Sequence, residues 1–257
     1  MVSIAQITDL PLADPKFTKQ CGATLDRDGV LALSGFLTPH ALSQLQAEAA
    51  AGMDKAYFCT QSHSVYLSPS DPDLADDHPR NRQVISSKGC ICDDDVAADS
   101  VLRQLYDNQQ FRDFIMAVTG EDQLHPYADP LSSINIHYAR RGQELGWHFD
   151  NSSFAITLLI EKPGAGSHFE YVKNMRNADA GEMNYEGVER LLDGKMPADR
   201  LHFDPGTLVL FRGRNAIHRV SPNESDDVRM LAVLAYNNQP GVELSPNARM
   251  TFYGRLN

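Results

Sequence analysis

Short apolar or alternating segments follow one another from about residue 131 onward, and this series constrains the fold more than any other feature. The turns between them are rich in glycine and proline, as in Lys162-Pro163-Gly164-Ala165-Gly166 and Asp204-Pro205-Gly206. Segments of this length and spacing predict β-strands. Many short strands joined by tight turns are typical of an antiparallel sandwich or barrel. The segments are 133–138, 154–160, 168–172, 207–211, 217–220 and 229–236.

The preceding 130 residues have a different, partly helical pattern. Residues 30–33 form an apolar strand, and Thr38-Pro39 reads as an N-cap followed by proline at the first helical position. A second helix is predicted over 99–118 from its apolar periodicity. Between these helices, residues 58–95 are polar and punctuated by proline and aspartate, which predicts a long irregular loop serving as a lid or substrate loop.

Helices followed by strands predict an α+β fold with N-terminal helices packed on one sheet. We expect a single domain over 1–257, with a helical part and lid loop at 1–130 and the β core at 131–257. A surface insertion at about 173–200 is expected to hold one short helix near 188–192.

Composition excludes several classes of function. The chain has 34 acidic against 23 Lys and Arg residues, a formal charge of −11, which disfavours nucleic acid and anionic membranes as partners. No apolar run is long enough for a membrane span, and the start lacks a signal-peptide pattern, so a cytoplasmic protein is expected. Four scattered cysteines do not form a disulfide framework, and no second pair completes a zinc site with Cys90 and Cys92.

The segment Gly146-Trp147-His148-Phe149-Asp150 carries the most chemical information. On a strand, His148 and Asp150 point to the same face. His218 follows 68 positions after Asp150 in another strand-like segment. Two histidines and one carboxylate are the ligand set of non-haem Fe(II) oxygenases, so these three residues are the predicted metal-binding and catalytic residues.

Arg229 stands eleven residues after His218 and opens the next predicted strand. The order H-x-D, then His, then Arg in a late β region resembles the 2-oxoglutarate/Fe(II)-dependent dioxygenase superfamily. The resemblance implies a double-stranded β-helix core of jelly-roll or cupin type, with Fe(II), 2-oxoglutarate and O2 as cofactor and co-substrates and ascorbate as the reductant in vitro. It also implies that Arg229 binds the distal carboxylate of 2-oxoglutarate, for which a planar guanidinium is suited.

Further segments resemble the small bacterial enzymes that halogenate or hydroxylate free amino acids. These are 105–120, 129–131, 146–150 and 169–172. Halogenases of that branch carry glycine where this chain has Asp150, so the resemblance implies a hydroxylase acting on an unactivated C–H bond and releasing succinate and CO2. Desaturation or cyclisation, a peptide or lipid-like acid as substrate, and a non-catalytic cupin-like metal protein remain as alternatives.

Asn135 and His137 alternate with apolar neighbours on the first barrel strand, so both could face a pocket. They are candidates for binding 2-oxoglutarate or substrate, with ordinary strand polarity as the alternative. On the last predicted strand, alternation places Arg229, Leu231, Val233 and Ala235 on one face. A pocket lined by Leu231, Val233 and Ala235 would suit a substrate side chain of low charge.

The remaining candidate substrate residues follow from the same branch. Its enzymes use an arginine from the polar loop for the α-carboxylate, which suggests Arg82 or, second, Arg80. Asp129 could pair with an α-amine, although a turn-forming Asp-Pro is the alternative. Asn151 follows the predicted carboxylate ligand, where lysine-directed relatives carry an acid, and this disfavours a lysine substrate.

Overall fold

Eleven strands form one continuous antiparallel sheet in the computed structural model, which describes residues 3–257. The strand order is β1-β9-β6-β11-β4-β3-β5-β10-β7-β8, with β2 paired to β3. The strands are β1 (Val30–Leu33), β2 (Tyr57–Ser64), β3 (Gln83–Ile91), β4 (Ile134–Ala139), β5 (Leu145–His148), β6 (Ala155–Glu161), β7 (Phe169–Val172), β8 (Asp199–Leu201), β9 (Leu208–Phe211), β10 (Ile217–Val220) and β11 (Arg229–Leu234).

The sheet curls so that its two ends face each other. In the spatial order, the first group consists of β1, β9, β6, β11, β4 and β3, and the second of β5, β10, β7 and β8. The two groups join where Ser86 of β3 pairs with Leu145 of β5. Side chains from both groups line one central cavity. This curled sheet with helices on its outside confirms the predicted α+β fold with a double-stranded β-helix core.

Six α-helices accompany the sheet in residues 3–257. They are α1 (Pro15–Asp28), α2 (Pro39–Gly52), α3 (Val101–Tyr106), α4 (Gln109–Thr119), α5 (Tyr185–Leu192) and α6 (Pro246–Tyr253). Helix α2 begins as predicted, because the Thr38 hydroxyl accepts a hydrogen bond from the amide of Ala41 and Pro39 occupies the first turn. Helix α5 covers the position predicted for the short helix near 188–192.

The N-terminal helices pack on the outer face of strands β4 and β11. Ile134 and Ile136 of β4, and Ala232 and Leu234 of β11, belong to the same buried cluster as the apolar faces of α1 to α4. Because strand side chains alternate between faces, the intervening residues of both strands point inward. The helices therefore fix which side chains can reach the cavity.

The prediction of an irregular loop over 58–95 is wrong towards both ends of that segment, where regular strands occur. Strands β2 and β3 form a long antiparallel hairpin, in which Tyr57 pairs with Cys90 and Ser64 with Gln83. Only the connection between them is irregular. On β2, Cys59, Gln61 and His63 line the cavity while Thr60 and Ser62 are exposed, so both faces carry polar residues and the sequence has a loop-like composition.

The single helix predicted over 99–118 is two helices. A break at Asp107 and Asn108 separates α3 from α4, and the Asn108 side chain caps α4 by accepting a hydrogen bond from the amide of Phe111. Helices α1 and α6 have no counterpart in the sequence prediction. In residues 3–257, no helix has the length and apolar character that crossing a membrane would require.

Candidate active site

His148, Asp150 and His218 meet at one point inside the curled sheet. Strands β5 and β10 are neighbours, and His148 pairs directly with His218 in their register. One oxygen of Asp150 (Oδ1) lies 3.6 Å from Nε2 of each histidine. One nitrogen or oxygen donor from each residue falls within 4.8 Å of the others. The structure thus brings together the three residues that the sequence analysis selected as metal ligands.

Both histidines present the same ring nitrogen to this point. The Nδ1–H of His148 donates to the carbonyl of Gly146 at 2.8 Å, and that of His218 donates to the carbonyl of Ala216 at 3.0 Å. These hydrogen bonds fix the tautomer in which Nε2 carries the free lone pair. Burial, and then the nearby His148, lower the pKa of His218 to about 4, which keeps this imidazole neutral.

Asp150 lies two residues beyond His148, just after β5 ends. Burial raises the pKa of this carboxyl, but attraction to His218 and His148 outweighs it, so the pKa lies below its ordinary value. The second oxygen, Oδ2, is buried without a hydrogen-bond partner among the described residues. A buried carboxylate oxygen without a partner is unfavourable unless a cation binds it. The two imidazoles and the orphaned carboxylate therefore fit a bound Fe(II) ion.

A second group of possible metal ligands is already paired with an arginine of the protein. Cys92, Asp94 and Asp95 lie within ligating distance of one another. The Arg255 guanidinium forms ion pairs with both aspartates, and Asp95 also contacts Lys55. These acidic side chains thus have partners within the protein.

The three clustered residues face a cavity of about 320 Å³ between the two halves of the sheet. Most of its wall is apolar and aromatic, with a few polar groups set into it, as is common for small-molecule sites. Leu231 and Val233 line it from β11, which agrees with the inward face predicted for that strand.

Arg229 enters the cavity from the first position of β11. It is 7% exposed, and its guanidinium makes no hydrogen bond or ion pair within the described part of the chain. Burial lowers its pKa to about 10, so the group remains charged near neutral pH. A buried, charged and unpaired guanidinium facing a cavity is suited to binding a carboxylate there.

His137 also lines the cavity, directly across from Leu231 on the neighbouring strand. Burial lowers its pKa well below the ordinary value, with nearby Lys88 and Arg229 adding to the effect. The ring is therefore neutral, and it lies 3.1 Å from the ammonium of Lys88 through Nε2. The structure places this predicted residue at the cavity beside a lysine that sequence analysis missed.

The hairpin of β2 and β3 supplies further polar cavity residues that sequence analysis missed. His63 and Gln61 of β2 and Ser86 and Lys88 of β3 all line the cavity. His63 contacts the Ser86 hydroxyl at 2.7 Å, and its ring lies edge-on to His148 at 6.4 Å between centroids. The signal was the alternation of polar residues at every second position, which the loop interpretation of this segment obscured.

Asn135 does not reach the cavity, although it was predicted to. Its amide donates to the carbonyls of Leu131 and Ile134, and its carbonyl accepts from the Tyr253 hydroxyl. Helix α6 covers this end of β4, which the sequence analysis did not anticipate. Asn135 therefore joins the first barrel strand to the C-terminal helix.

Asp129 likewise forms a turn and is not free for a substrate amine. One carboxylate oxygen accepts from the amide of Leu131 and the hydroxyl of Ser132, and the other accepts from the amide of Leu244. Ala235 lies beyond the end of β11 and outside the cavity lining, and its carbonyl accepts from the Tyr106 hydroxyl.

The two loop arginines and Asn151 also lie away from the cavity. Arg82 pairs with Asp193 at 2.6 Å, and Arg80 donates to the Ser68 hydroxyl at 2.7 Å. Asn151 is exposed and offers only its backbone carbonyl, to Arg214. Both arginines lie in the irregular connection between β2 and β3, and their partners within the protein hold them outside the cavity lining.

Comparison with known protein families agrees with this geometry. The sequence profile of the family Halogenase D (HalD) matches residues 13–250, nearly the whole chain. The chain belongs to the Halogenase D family. A search of curated proteins found no match.

Solved structures similar to this member of the Halogenase D family share its fold at low sequence identity. An oxidoreductase of the 2OG-Fe(II) oxygenase family from Burkholderia pseudomallei has a TM-score of 0.56 at 12% identity, over 88% of this chain and 93% of that one. The epimerase SnoN, in complex with Fe3+, alpha ketoglutarate and nogalamycin RO, has a TM-score of 0.60 at 13% identity, over 91% and 94%. A prolyl hydroxylase from Trichoplax adhaerens, in complex with a hypoxia inducible factor peptide, has a TM-score of 0.54 at 12% identity, over 87% and 90%.

The family, the fold and the clustered ligand set point to one class of enzyme. They confirm the predicted family resemblance and the assignment to non-haem iron, 2-oxoglutarate-dependent oxygenases.

Proposed function

We propose that this protein hydroxylates an unactivated C–H bond of a small substrate, an amino acid or a derivative of one. His148, Asp150 and His218 bind Fe(II), and Arg229 binds the distal carboxylate of 2-oxoglutarate. With both bound, the iron centre supplies the oxidising power for C–H cleavage from O2, with release of succinate and CO2.

The observation that carries this proposal is the presence of a carboxylate, Asp150, beside the two clustered histidines. Halogenases of the branch that this chain resembles carry glycine at this position, which leaves a coordination site for halide. Here the carboxylate approaches both histidines at 3.6 Å, and its second oxygen is free to bind the metal. A third protein ligand therefore occupies the place that a halide would need, which supports hydroxylation over halogenation.

Arg229 supports the choice of co-substrate. Its guanidinium is buried and charged, and it has no protein partner among the described residues. Leu231 and Val233 continue the same face of β11. This arrangement suits a molecule with an anionic end and an aliphatic middle, as 2-oxoglutarate has.

A small substrate is favoured by the position of the β2–β3 hairpin. Residues 58–64 and 83–91 were expected to belong to an irregular loop that could form a peptide groove, but they lie in paired strands that line the cavity. The enclosed space of about 320 Å³ has the size of a small-molecule site.

The proposal is tested by succinate release from 2-oxoglutarate under air, with Fe(II) and ascorbate, across free amino acids and their acylated derivatives. Stimulated succinate release with a product that has gained one oxygen atom supports hydroxylation. A desaturated or cyclised product by mass spectrometry identifies the alternative reactions. No succinate from iron-loaded protein, with or without any substrate, rejects the proposal.

A further inference from the structure

Two cationic side chains line the cavity, and only one carboxylate does so. The cations are Arg229 and Lys88, and the carboxylate is Asp150, which lies between the two metal-binding histidines. His137, beside Lys88, has a pKa well below its ordinary value through burial and through Lys88, and therefore adds no charge near neutral pH. With Arg229 and Lys88 both protonated, the cavity holds one positive charge more than its carboxylate can balance.

Lys88 has neutral neighbours around its amino group, and burial lowers the pKa of this lysine, so a bound anion would stabilise its ammonium form. Nζ lies 3.1 Å and 3.3 Å from the two ring nitrogens of His137, and 5.2 Å from the centre of the Phe252 ring. It forms no ion pair with any carboxylate of residues 3–257. An enclosed cation without a counter-ion is costly, and such groups are often kept for binding an anion.

Arg229 and Lys88 enter the cavity from two different strands, one on each side of β4. In the sheet, β4 lies between β11 and β3, so the two side chains belong to strands two places apart. Arg229 pairs with Ala139 of β4, and Lys88 adjoins Gly89, which pairs with Tyr138. At ~4.8 Å between neighbouring strands, the two backbones are about 10 Å apart at this level. The two side chains therefore reach the cavity from strands on either side of His137, and we assign one anion to each.

The charges of the assembled site point the same way. Fe(II) and Arg229 together carry as much positive charge as Asp150 and the 2-oxoglutarate dianion carry negative charge. The ammonium of Lys88 is then the one charged group of the site without a counter-ion. A zwitterionic amino acid would leave it unbalanced and would also bring an ammonium group into a cavity that has no free carboxylate. A monoanion would neutralise the site.

We propose that Lys88 binds a carboxylate of the substrate, and that the substrate is an organic acid with one more carboxylate than ammonium groups. Acidic amino acids and N-acylated amino acids belong to this class. The inference rests on the proposed oxygenase function and narrows its substrate. His137 positions the ammonium of Lys88 by accepting a hydrogen bond from it.

The test is calorimetric titration without oxygen, using protein loaded with Fe(II) and 2-oxoglutarate and matched pairs of probes. The pairs are glutamate and glutamine, aspartate and asparagine, and N-acetyl-leucine and leucine. We expect the monoanion to bind about tenfold or more tightly than its partner in at least one pair. Lys88→Met should abolish this preference, Lys88→Arg should retain it, and Lys195→Met, at an exposed lysine, should leave it unchanged.

Stability gives a second readout that does not depend on turnover. Because Lys88 is an enclosed cation without a counter-ion, Lys88→Met should melt at the same temperature as the wild type or higher in the absence of substrate. Equal affinity within every pair, tighter binding of the neutral partners, no binding of any monoanion, or an unchanged preference in Lys88→Met would overturn the inference. Succinate release separates this failure from that of the proposed function: an active wild type with no acid preference rejects only the role of Lys88.

Discussion

Gly213 and Asp150 lie in direct backbone contact beside the two clustered histidines. The amide of Asp150 donates to the Gly213 carbonyl at 3.1 Å. A methyl group added to Gly213 would overlap the Asp150 carboxylate and would approach the His218 ring. The loop between β9 and β10 therefore limits the space for the Asp150 carboxylate, and only glycine at position 213 leaves enough room for it.

Gly213→Ala should weaken Fe(II) binding because the new Cβ displaces Asp150 from the two histidines. Changes around metal ligands cost ~10–100-fold in affinity, and we expect a loss in this range by competition with a metal chelator. Gly22→Ala is the control, since a Cβ there meets only ordinary contacts in helix α1. Unchanged iron affinity in Gly213→Ala would show that the carboxylate position is not decisive.

Asp150→Ala should abolish iron-dependent succinate release while preserving the fold. Its Oδ2 has no hydrogen-bond partner to lose, so the free energy of unfolding of the metal-free protein should change by less than about 1 kcal/mol. Iron affinity should fall by roughly 100-fold or more, since a ligand itself is removed. Asp179→Ala, at a largely exposed aspartate, serves as the control. Succinate release at the wild-type rate would exclude Asp150 as a ligand.

Arg229→Met should raise the 2-oxoglutarate concentration needed for half-maximal succinate release. Loss of one partner of an enclosed charge pair costs about 2–5 kcal/mol, which corresponds to roughly 30-fold or more in affinity. The melting temperature without 2-oxoglutarate should not fall, because the guanidinium has no protein partner to lose. Arg141→Met removes an exposed arginine and should alter neither value. An unchanged 2-oxoglutarate requirement would contradict the assigned role.

Glu170 should make folding stability depend on pH in the acid range. This buried carboxylate on β7 accepts from Arg200 at 2.8 Å and Arg219 at 2.7 Å. Burial raises its pKa, but the two guanidinium groups outweigh this, so its pKa in the folded protein lies below the ordinary value. The stabilisation is thus fully present above the unfolded pKa and is lost as pH falls through the folded one.

Glu170→Gln should accordingly lower the free energy of unfolding by about 1–3 kcal/mol at pH 7, and by progressively less as the pH falls through the acid range. Urea unfolding at several pH values measures the difference. Glu243→Gln changes a half-exposed glutamate that only loosely contacts Arg249 and should show little pH-dependent loss. A difference between Glu170→Gln and wild type that is constant with pH would contradict the paired state of Glu170.

Local sequence patterns determined most of the β core. The segment at 217–220 and the apolar strand at 30–33 are predicted at their observed bounds, and Thr38 caps its helix as expected. Alternation along β11 correctly places Leu231 and Val233 on the cavity. These features succeed because each depends on a few neighbouring residues and on the period of one element.

The cluster of His148, Asp150 and His218 could also be predicted from the sequence, although these residues are far apart in the chain. The order and spacing of the residues in the chain substituted for the unseen pairing of β5 with β10. The sequence could not show that Gly213 makes room for the carboxylate, because that contact depends on a loop from another strand.

Tertiary structure alone decided which polar residues reach the cavity. Asn135 has the right parity on β4, but its hydrogen bonds with Leu131, Ile134 and Tyr253 hold it away. Lys88 was hidden in a segment whose composition reads as loop, and only the pairing of β2 with β3 turns it inward. Strand pairing and helix packing join residues far apart in the chain, and no local pattern records them. The sequence by itself therefore determined the cluster of His148, Asp150 and His218, and the folded structure decided which residues surround it.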